Sequence, residues 1–363
     1  MNQTKQEHAL PRLLRYAQAY RRQLIMATLY SVLNRVFDLA PPALIGTAVD
    51  VVVSREESML AQLGVTDVLT QLWILAILTI SIWAGESIFQ FAYSVVWRNL
   101  AQSLQHDLRL DAYQHVQNLE MAYFEDQSTG GLMAVLNDDI NQLERFLDTR
   151  ANDLIQIMTT AVVIGSLFLV TAPSVAWMAI VPMPFVFWGS LWFQKKLAPR
   201  YAEVRERVGL MNSQLANNLS GIATIKSFTA EKHEAARIRR ESDAYSNSNR
   251  KAITLSSAFV PVIRMVIVSG FVTILVFGGQ LVLDGSLNVG IYSVLMFMSQ
   301  RLLWPMTRLG TMLDLYQRAM ASTARVLDLL DTQPQLHDGQ VALPVAAVRG
   351  EVLFDGVSFR YGE

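Results

Sequence analysis

The longest uninterrupted apolar pattern in this chain lies between Asp153 and Lys195, where 41 residues contain no Asp, Glu, Lys or Arg. A bilayer core about 30 Å thick is crossed by roughly 20 apolar residues in a helix, so this run has the length of two spans. Thr171-Ala-Pro-Ser174 lies near its middle and has the composition of a tight turn. The pattern predicts a transmembrane hairpin, flanked by charged helical arms at 98–153 (the first arm) and 195–251 (the second arm).

Shorter apolar runs elsewhere predict further spans, which are joined by short loops on one side and by the two arms on the other. Pro41-Pro42 lies within the first span and is expected to kink or locally unwind it. The loops at 54–67, 171–174 and 284–288 are short. The predicted spans cover about 23–53, 68–97, 154–170, 174–194, 265–283 and 289–310.

The whole sequence divides into four parts. Residues 1–22 form a basic N-terminal segment, and 23–330 form the six-helix transmembrane domain with its arms. Residues 331–349 have the polar and proline-containing composition of a linker. In 350–363, apolar and polar residues alternate around Asp355-Gly356, which is typical of strand–turn–strand structure and of the start of a second domain.

Composition supports a membrane protein. The chain is 52% hydrophobic and 17% charged, with a mean hydropathy of +0.28, whereas soluble domains carry about 25% charged residues. A net charge of −1 gives no indication of nucleic-acid binding. The absence of cysteine excludes disulfides, thiol catalysis and cysteine-ligated metal. The first 22 residues lack the apolar segment of a cleavable signal peptide.

The distribution of lysine and arginine predicts the orientation in the membrane. The three short loops contain Arg55 alone, whereas the second arm contains twelve basic residues. Basic residues are retained on the cytoplasmic side. We therefore expect a multi-pass protein of the plasma (inner) membrane, with both termini and both arms in the cytoplasm.

Four charged residues lie within or beside the predicted spans and are candidates for a substrate cavity: Arg35, Asp38, Glu86 and Arg264. Charges at these depths are costly and usually face a cavity or a partner. Arg35 and Asp38 are three residues apart and can instead pair with each other on one helix face. Arg264 can instead extend its charge to the cytoplasmic interface. The tryptophans fit either interface belts or an aromatic cavity.

Four motifs in order resemble the transmembrane domain of exporter-type ABC transporters, in the multidrug and lipid exporter group. FEDQSTG at 124–130 with NDDI at 137–140 is similar to the first intracellular loop of that family, and LSGIATIKSF at 219–228 is similar to the second. ARVLDLLD at 324–331 resembles the end of the sixth helix, and VSFRY at 357–361 resembles the opening strands of the nucleotide-binding domain. Gly131 and Asn217 depart from the family pattern, in which many relatives carry acidic residues.

The resemblance implies an all-α membrane protein of the type-1 exporter fold, which has six long transmembrane helices with cytoplasmic extensions and two coupling loops and ends in the first β-strands of an ATPase domain. It implies that short helices at the ends of the arms contact the nucleotide-binding domains, through Tyr123, Phe124 and Glu125 in the first loop and Ile222, Lys226 and Phe228 in the second. Tyr361 would stack on adenine. The alternatives are ordinary aromatic residues that cap turns, and a tyrosine in a small strand core.

The resemblance also implies ATP with Mg²⁺ as cofactor, although the chain contains no G-x-x-x-x-G-K-[ST] loop to hold phosphates. We therefore expect it to be the membrane half of a longer polypeptide, in which the nucleotide-binding domain continues. Its partners would be the bilayer, a second half in a homodimer or heterodimer, the nucleotide-binding domains, and a lipid or amphipathic substrate. The alternative functions are an ion-driven secondary transporter and a membrane regulator without a motor.

Overall fold

The computed structural model describes residues 9–55, 58–334, 346, 350 and 352–358. Helices make up nearly all of this part of the chain, and none of these residues is in a β-strand. The longer helices are α1 (Ala9–Tyr16), α2 (Arg21–Ser54), α4 (Val68–Gln117), α8 (Ala151–Thr171), α9 (Pro173–Ile180), α10 (Pro182–Ser220), α12 (Glu231–Thr273), α14 (Val289–Leu303) and α15 (Leu309–Asp331). The short ones are α3 (Met59–Gln62), α5 (Met121–Asp126), α6 (Thr129–Met133), α7 (Ile140–Arg145), α11 (Ile222–Ser227) and α13 (Gly279–Leu283).

The long helices are interrupted by brief segments of other helical geometry. Three have π-helical hydrogen bonding, at Ala134–Asp139, Phe146–Arg150 and Ile274–Gly278. Two are 3₁₀-helical, at Ala17–Tyr20 and Trp304–Arg308. The second of these directly follows α14 and contains Pro305, whose missing N–H is tolerated in the first turn of such a segment.

The length of α4 shows that this is more than a bundle of membrane spans. It contains 50 residues, so at 1.5 Å per residue it is about 75 Å long, more than twice the thickness of a bilayer core. Asp67 begins it by accepting the backbone N–H of Thr70 at 2.8 Å, a standard N-terminal cap. The polar half of α4 therefore extends well beyond the membrane and forms the start of the first arm.

Five helical segments among the described residues are long and apolar enough to cross a bilayer: Ala9–Ser54, Val68–Gln117, Thr129–Thr171, Pro173–Ser220 and Glu231–Leu283. The chain is therefore a multi-pass, all-helical membrane protein. The sixth predicted span, at 289–310, is helical but is not among the five. Its apolar part is short, since Gln300 and Arg301 precede the 3₁₀ segment. The predicted number of six is thus not confirmed.

Two other predictions concern local structure, at the C-terminal end and at the prolines of α2. The strands expected near the C-terminal end are not confirmed, because the described residues 352–358 have no strand pairing. Of the kink or local unwinding expected at Pro41-Pro42, the unwinding does not occur, because α2 remains helical through both prolines, and the kink stays a prediction. The breaks at Thr171–Ser174, Ser220-Gly221 and 284–288 do interrupt the helices, as their turn residues predict.

Packing in the membrane half depends on close helix contacts. The backbones of α2 and α14 approach so closely that a Cβ added to Gly46 would lie 2.7 Å from the carbonyl oxygen of Gly290. A buried apolar cluster joins these helices to α8, α9, α10 and α12, with Phe168, Ile263 and Leu295 at its centre. Glycine at the contact removes the side chains that would hold the two helices apart.

The two arms differ in what they pack against. The first arm contributes to a buried cluster with α1, α2 and α15, which includes Trp97, Leu104 and Val326. The second arm is an antiparallel pair formed by α10 and α12, whose register is set where Ser248 donates to Glu203 at 2.9 Å. In the described chain, every side-chain hydrogen bond and ion pair between positions 200 and 250 joins two residues of that arm.

Candidate functional site

The end of the first arm carries α5, in which the aromatic side chains fold back onto the chain's own helices. Tyr123 and Phe124 are half-buried, with their rings edge to face at 5.7 Å between centroids. Both pack against a small core formed by α4, the loop after it and α15. Met121 and Glu125 are the exposed side chains beside them. The structure therefore gives Tyr123 and Phe124 a packing role within the first arm, and it presents Glu125 to the outside.

An ion pair fixes the end of the first arm to α15. Arg325 donates from Nε to Oδ2 of Asp139 at 2.7 Å and from Nη2 to Oδ1 at 2.5 Å. Asp139 is only 7% exposed, so most of its solvation comes from this guanidinium. A two-pronged contact of this kind restricts orientation as well as distance, and it joins the ARVLDLLD motif to the NDDI motif.

The N-terminal segment is bound to the same region. Arg12 of α1 donates to Asp328 at 2.7 Å and to Asp331 at 2.8 Å, both near the end of α15. Tyr16 donates its hydroxyl to Asp111 of α4 at 2.5 Å. Burial and this hydrogen bond raise the pKa of the Tyr16 hydroxyl well above its usual range. These contacts join α1, α4 and α15 into one unit.

The end of the second arm carries α11 and presents apolar side chains to solvent. Phe228 is 77% exposed, Leu219 is 72% exposed and Ile222 is 47% exposed. Lys226 donates from Nζ to Oε1 of Glu231 at 2.9 Å, across the turn into α12. That hydrogen bond lowers the pKa of the Glu231 carboxyl. An exposed apolar group of this kind, with no cover from the described chain, is typical of a contact surface.

The charges predicted within the spans form a network centred on Asp38. Arg35 donates from Nη1 to Oδ2 of Asp38 at 2.5 Å and from Nε to Oγ1 of Thr160 at 2.5 Å. Arg301 of α14 donates from Nη1 both to Oδ1 and to the backbone carbonyl of Asp38, each at 2.6 Å. The expected pairing of Arg35 with Asp38 is present, and Arg301 binds the other side of the same carboxylate.

The contact from Arg301 also explains why α2 continues through its prolines. In an α-helix the carbonyl of residue 38 accepts the N–H of residue 42. Pro42 has no N–H, so the carbonyl of Asp38 lacks its helical donor. Arg301 supplies the missing donor. Freed backbone groups in a membrane helix are tolerated where a neighbouring helix satisfies them, which accounts for the absence of local unwinding.

The remaining predicted residues of the cavity and the nucleotide site are Glu86, Arg264 and Tyr361. Glu86 lies on α4 beside Asn34, whose amide donates to the Glu86 backbone carbonyl at 2.9 Å. Arg264 lies on α12, where its guanidinium carbon is 5.4 Å from the centroid of the Trp304 ring. Tyr361, predicted to stack on adenine, lies outside the described residues.

Sequence reasoning missed Arg301, which lies in the predicted span 289–310 but was not among the four charged candidates. The signal that identifies it is indirect. A proline four residues after an acidic residue inside a span leaves a carbonyl without a donor, so a basic residue on another helix is needed to satisfy it. Arg301 interrupts the apolar residues of α14 at a depth where an unpaired charge is costly.

Comparisons with known proteins agree with this architecture. The sequence matches the family described as ABC transporter transmembrane region over residues 24–306. The uncharacterized ABC transporter ATP-binding protein YknV of Bacillus subtilis (strain 168) is 28% identical over 360 residues, which cover 97% of this chain and 57% of that protein. The probable multidrug resistance ABC transporter ATP-binding/permease protein YheI of the same organism is 23% identical, with 95% and 57% covered.

A lipid transporter is among the relatives as well. The ATP-dependent lipid A-core flippase of Desulfotalea psychrophila (strain LSv54 / DSM 12343) is 23% identical over 80% of this chain and 51% of that protein. The chain thus spans little more than half the length of these curated relatives. The family match covers most of the chain, including the spans and both arms. The protein therefore belongs to the ABC transporter transmembrane region family, as a multi-pass membrane domain related to exporters.

Proposed function

We propose that this chain forms the membrane half of an ATP-driven exporter. Two such halves, identical or different, enclose the translocation pathway and alternate between inward-facing and outward-facing states. In this proposal six spans per half cross the plasma (inner) membrane, with both termini in the cytoplasm. Nucleotide-binding domains hold ATP with Mg²⁺, because the chain itself lacks the glycine-rich loop that binds phosphates.

The observation that carries the proposal is the geometry of the arms. Each arm extends from the membrane as long helices and ends in a short helix, α5 or α11, at its tip. The exposed apolar side chains Leu219, Ile222 and Phe228 lie at the end of the second arm. Aromatic and aliphatic residues that fill pockets dominate the energetics of protein interfaces. A surface of this kind at the end of a rigid lever suits the transmission of movement from an ATPase domain.

An ion-driven secondary transporter is the main alternative, and the charge network argues against it. Such a transporter needs carboxylates near the midplane that bind and release the coupling ion. Asp38 is held between Arg35 and Arg301, so its negative charge is already balanced by fixed partners. Long cytoplasmic arms also have no evident role in that mechanism.

The test is transport by the full-length protein in proteoliposomes, with an NBD-labelled phospholipid and anilinonaphthalene sulfonate as two separate probes. We expect movement of at least one probe that requires ATP and is stopped by vanadate. Normal ATP hydrolysis with movement of neither probe would contradict the exporter function. Movement driven by an ion gradient without ATP would support the secondary transporter instead.

A further inference from the structure

A cavity of about 240 Å³ lies beside the charge network, between α2, α8, the 3₁₀ segment Trp304–Arg308 and α15. It is at the level where the uncharged run of α8 begins after Asp153. Its walls combine basic, polar and apolar side chains. They include Arg35, Asp153, Gln156, Trp304, Arg308 and Met312.

The charge on the cavity wall that lacks an internal partner is positive. Arg308 is exposed, and its guanidinium makes no hydrogen bond or ion pair with the described residues. Arg35 uses Nε and Nη1 in the network, while its Nη2 has no partner in the same part of the chain. Asp153 is the acidic group on the wall, and Arg150 already donates to it at 3.1 Å. Asp38 and Glu86 are the carboxylates that act on the Arg35 guanidinium. Arg308 is therefore the uncompensated charge on the wall, and it favours a negatively charged ligand.

The cavity also offers an apolar surface next to these cations. The Trp304 ring is 48% exposed, and Pro305 and Met312 lie on the same wall. Arg264 lies against the Trp304 ring and adds a further cation nearby. Arginine binds sulfonate, phosphate and carboxylate groups through paired N–H donors. Near a protein surface, where the effective dielectric constant is about 20, such a charge still attracts anions more strongly than in bulk water.

We propose that this cavity binds the acidic head group of an amphiphile, with Arg308 and Arg35 on the head group and Trp304 against the adjacent apolar part. The cargo is then an anionic amphiphile that carries a sulfonate, phosphate or carboxylate. This inference rests on the proposed exporter function for its transport aspect, whereas the binding site itself is independent of it. Arg308 is the specificity-determining residue, because its charge is not engaged in the network around Asp38.

The experiment compares two probes that share one aromatic body, anilinonaphthalene sulfonate and phenylnaphthylamine, which lacks the sulfonate. Binding to the full-length protein is measured without ATP in a neutral detergent, from saturable energy transfer between tryptophan and probe. We expect the sulfonate to bind at least tenfold more tightly. Arg308→Gln removes a contact between charged groups, which we expect to weaken sulfonate binding about tenfold while phenylnaphthylamine binding is unchanged.

Arg318→Gln is the matched control, since Arg318 is an exposed arginine on α15 that pairs with Asp314 at 2.9 Å. It removes the same charge outside the cavity and should leave both affinities as they are. Arg308→Lys should retain part of the sulfonate affinity. Equal binding of the two probes to the wild type, or an unchanged sulfonate affinity in Arg308→Gln, would overturn the proposal.

A final experiment distinguishes lipid from small-molecule ligands. The sulfonate titration is repeated in nanodiscs of phosphatidylcholine, with and without phosphatidylglycerol. Competition by phosphatidylglycerol supports a site that accepts an acidic lipid, and undiminished sulfonate binding supports one that takes a smaller amphiphile. Sulfonate binding that depends on Arg308, in a protein that transports neither probe with ATP, would contradict the exporter function and leave the anion site standing.

Discussion

The two arms, 98–153 and 195–251, have nearly the same length in sequence, but their ends differ in what they pack against. At the end of the first arm, Tyr123 and Phe124 pack on the chain's own core, and Arg325 holds Asp139. At the end of the second arm, Phe228 and Leu219 are largely exposed, and the side-chain hydrogen bonds and ion pairs of the described residues 200–249 stay within the arm. One end is anchored to other helices of the chain, and the other has no such contact among the described residues.

If the chain acts as the proposed exporter half, this difference predicts how each arm contributes to coupling. An arm that is fixed to α1 and α15 moves with its own subunit, because any displacement would break buried contacts. An arm whose tip has no cover from the described chain depends on another body to define its position. The first arm is thus held in place by α1 and α15, whereas the tip of the second arm has no comparable contact in the described chain. Substitutions that affect stability at one tip and function at the other would establish the distinction.

The largest effect is expected from Arg325→Met. This change leaves the buried carboxylate of Asp139 without its two donors. Because Arg325 itself is half exposed, we expect the stability of the protein to fall by about 1–3 kcal/mol, the cost of an unsatisfied buried acceptor. The measurement is the thermal midpoint of the detergent-solubilised full-length protein. The double variant Arg325→Met/Asp139→Leu should regain part of the loss, since it removes the stranded charge as well.

Arg150→Gln serves as a control for the loss of an arginine in the same region. Its pair with Asp153 is partly exposed, and exposed pairs are usually worth less than about 1 kcal/mol. A similar fall in the thermal midpoint for Arg150→Gln and Arg325→Met would show that the anchor at Asp139 has no special role, and the contrast between the arms would lose its main support.

The second prediction compares the same aromatic substitution at the two tips, with thermal stability and transport as the two measurements. Phe228→Ala should leave the thermal midpoint almost unchanged, because the ring is 77% exposed. It should reduce coupled transport by the full-length protein about tenfold or more, since an aromatic residue in an interface pocket is typically worth about 2 kcal/mol. Phe124→Ala should lower the thermal midpoint, because its ring packs on the core formed by α4 and α15. A destabilised Phe228→Ala variant that transports normally would show that α11 is a packing element.

Sequence patterns were most informative where one chemical rule dominates. The uncharged run from Leu154 to Gln194 requires membrane burial whatever surrounds it, and Ser220-Gly221 ends α10 through its local turn chemistry. The contrast between Phe124 and Phe228 was not predictable, because both are aromatic residues beside a helix break. Their burial depends on α15, which packs on one tip and not on the other. The role of Arg301 likewise depends on Pro42, in a helix distant in sequence.

The smallest expected effect concerns the ion pair of the second tip and its dependence on pH. The hydrogen bond from Lys226 lowers the pKa of Glu231 in the folded protein, so the stabilisation is present above the unfolded pKa of about 4.3 and is lost as the pH falls through the folded pKa. Glu231→Gln should therefore increase amide exchange across α11 slightly at pH 7, after correction for intrinsic exchange rates. At a pH below the folded pKa, the variant and the wild type should exchange alike, because the wild-type carboxylate is then protonated. A difference that persists there would assign the effect to packing, and the tip of the second arm would then be held by its own subunit after all.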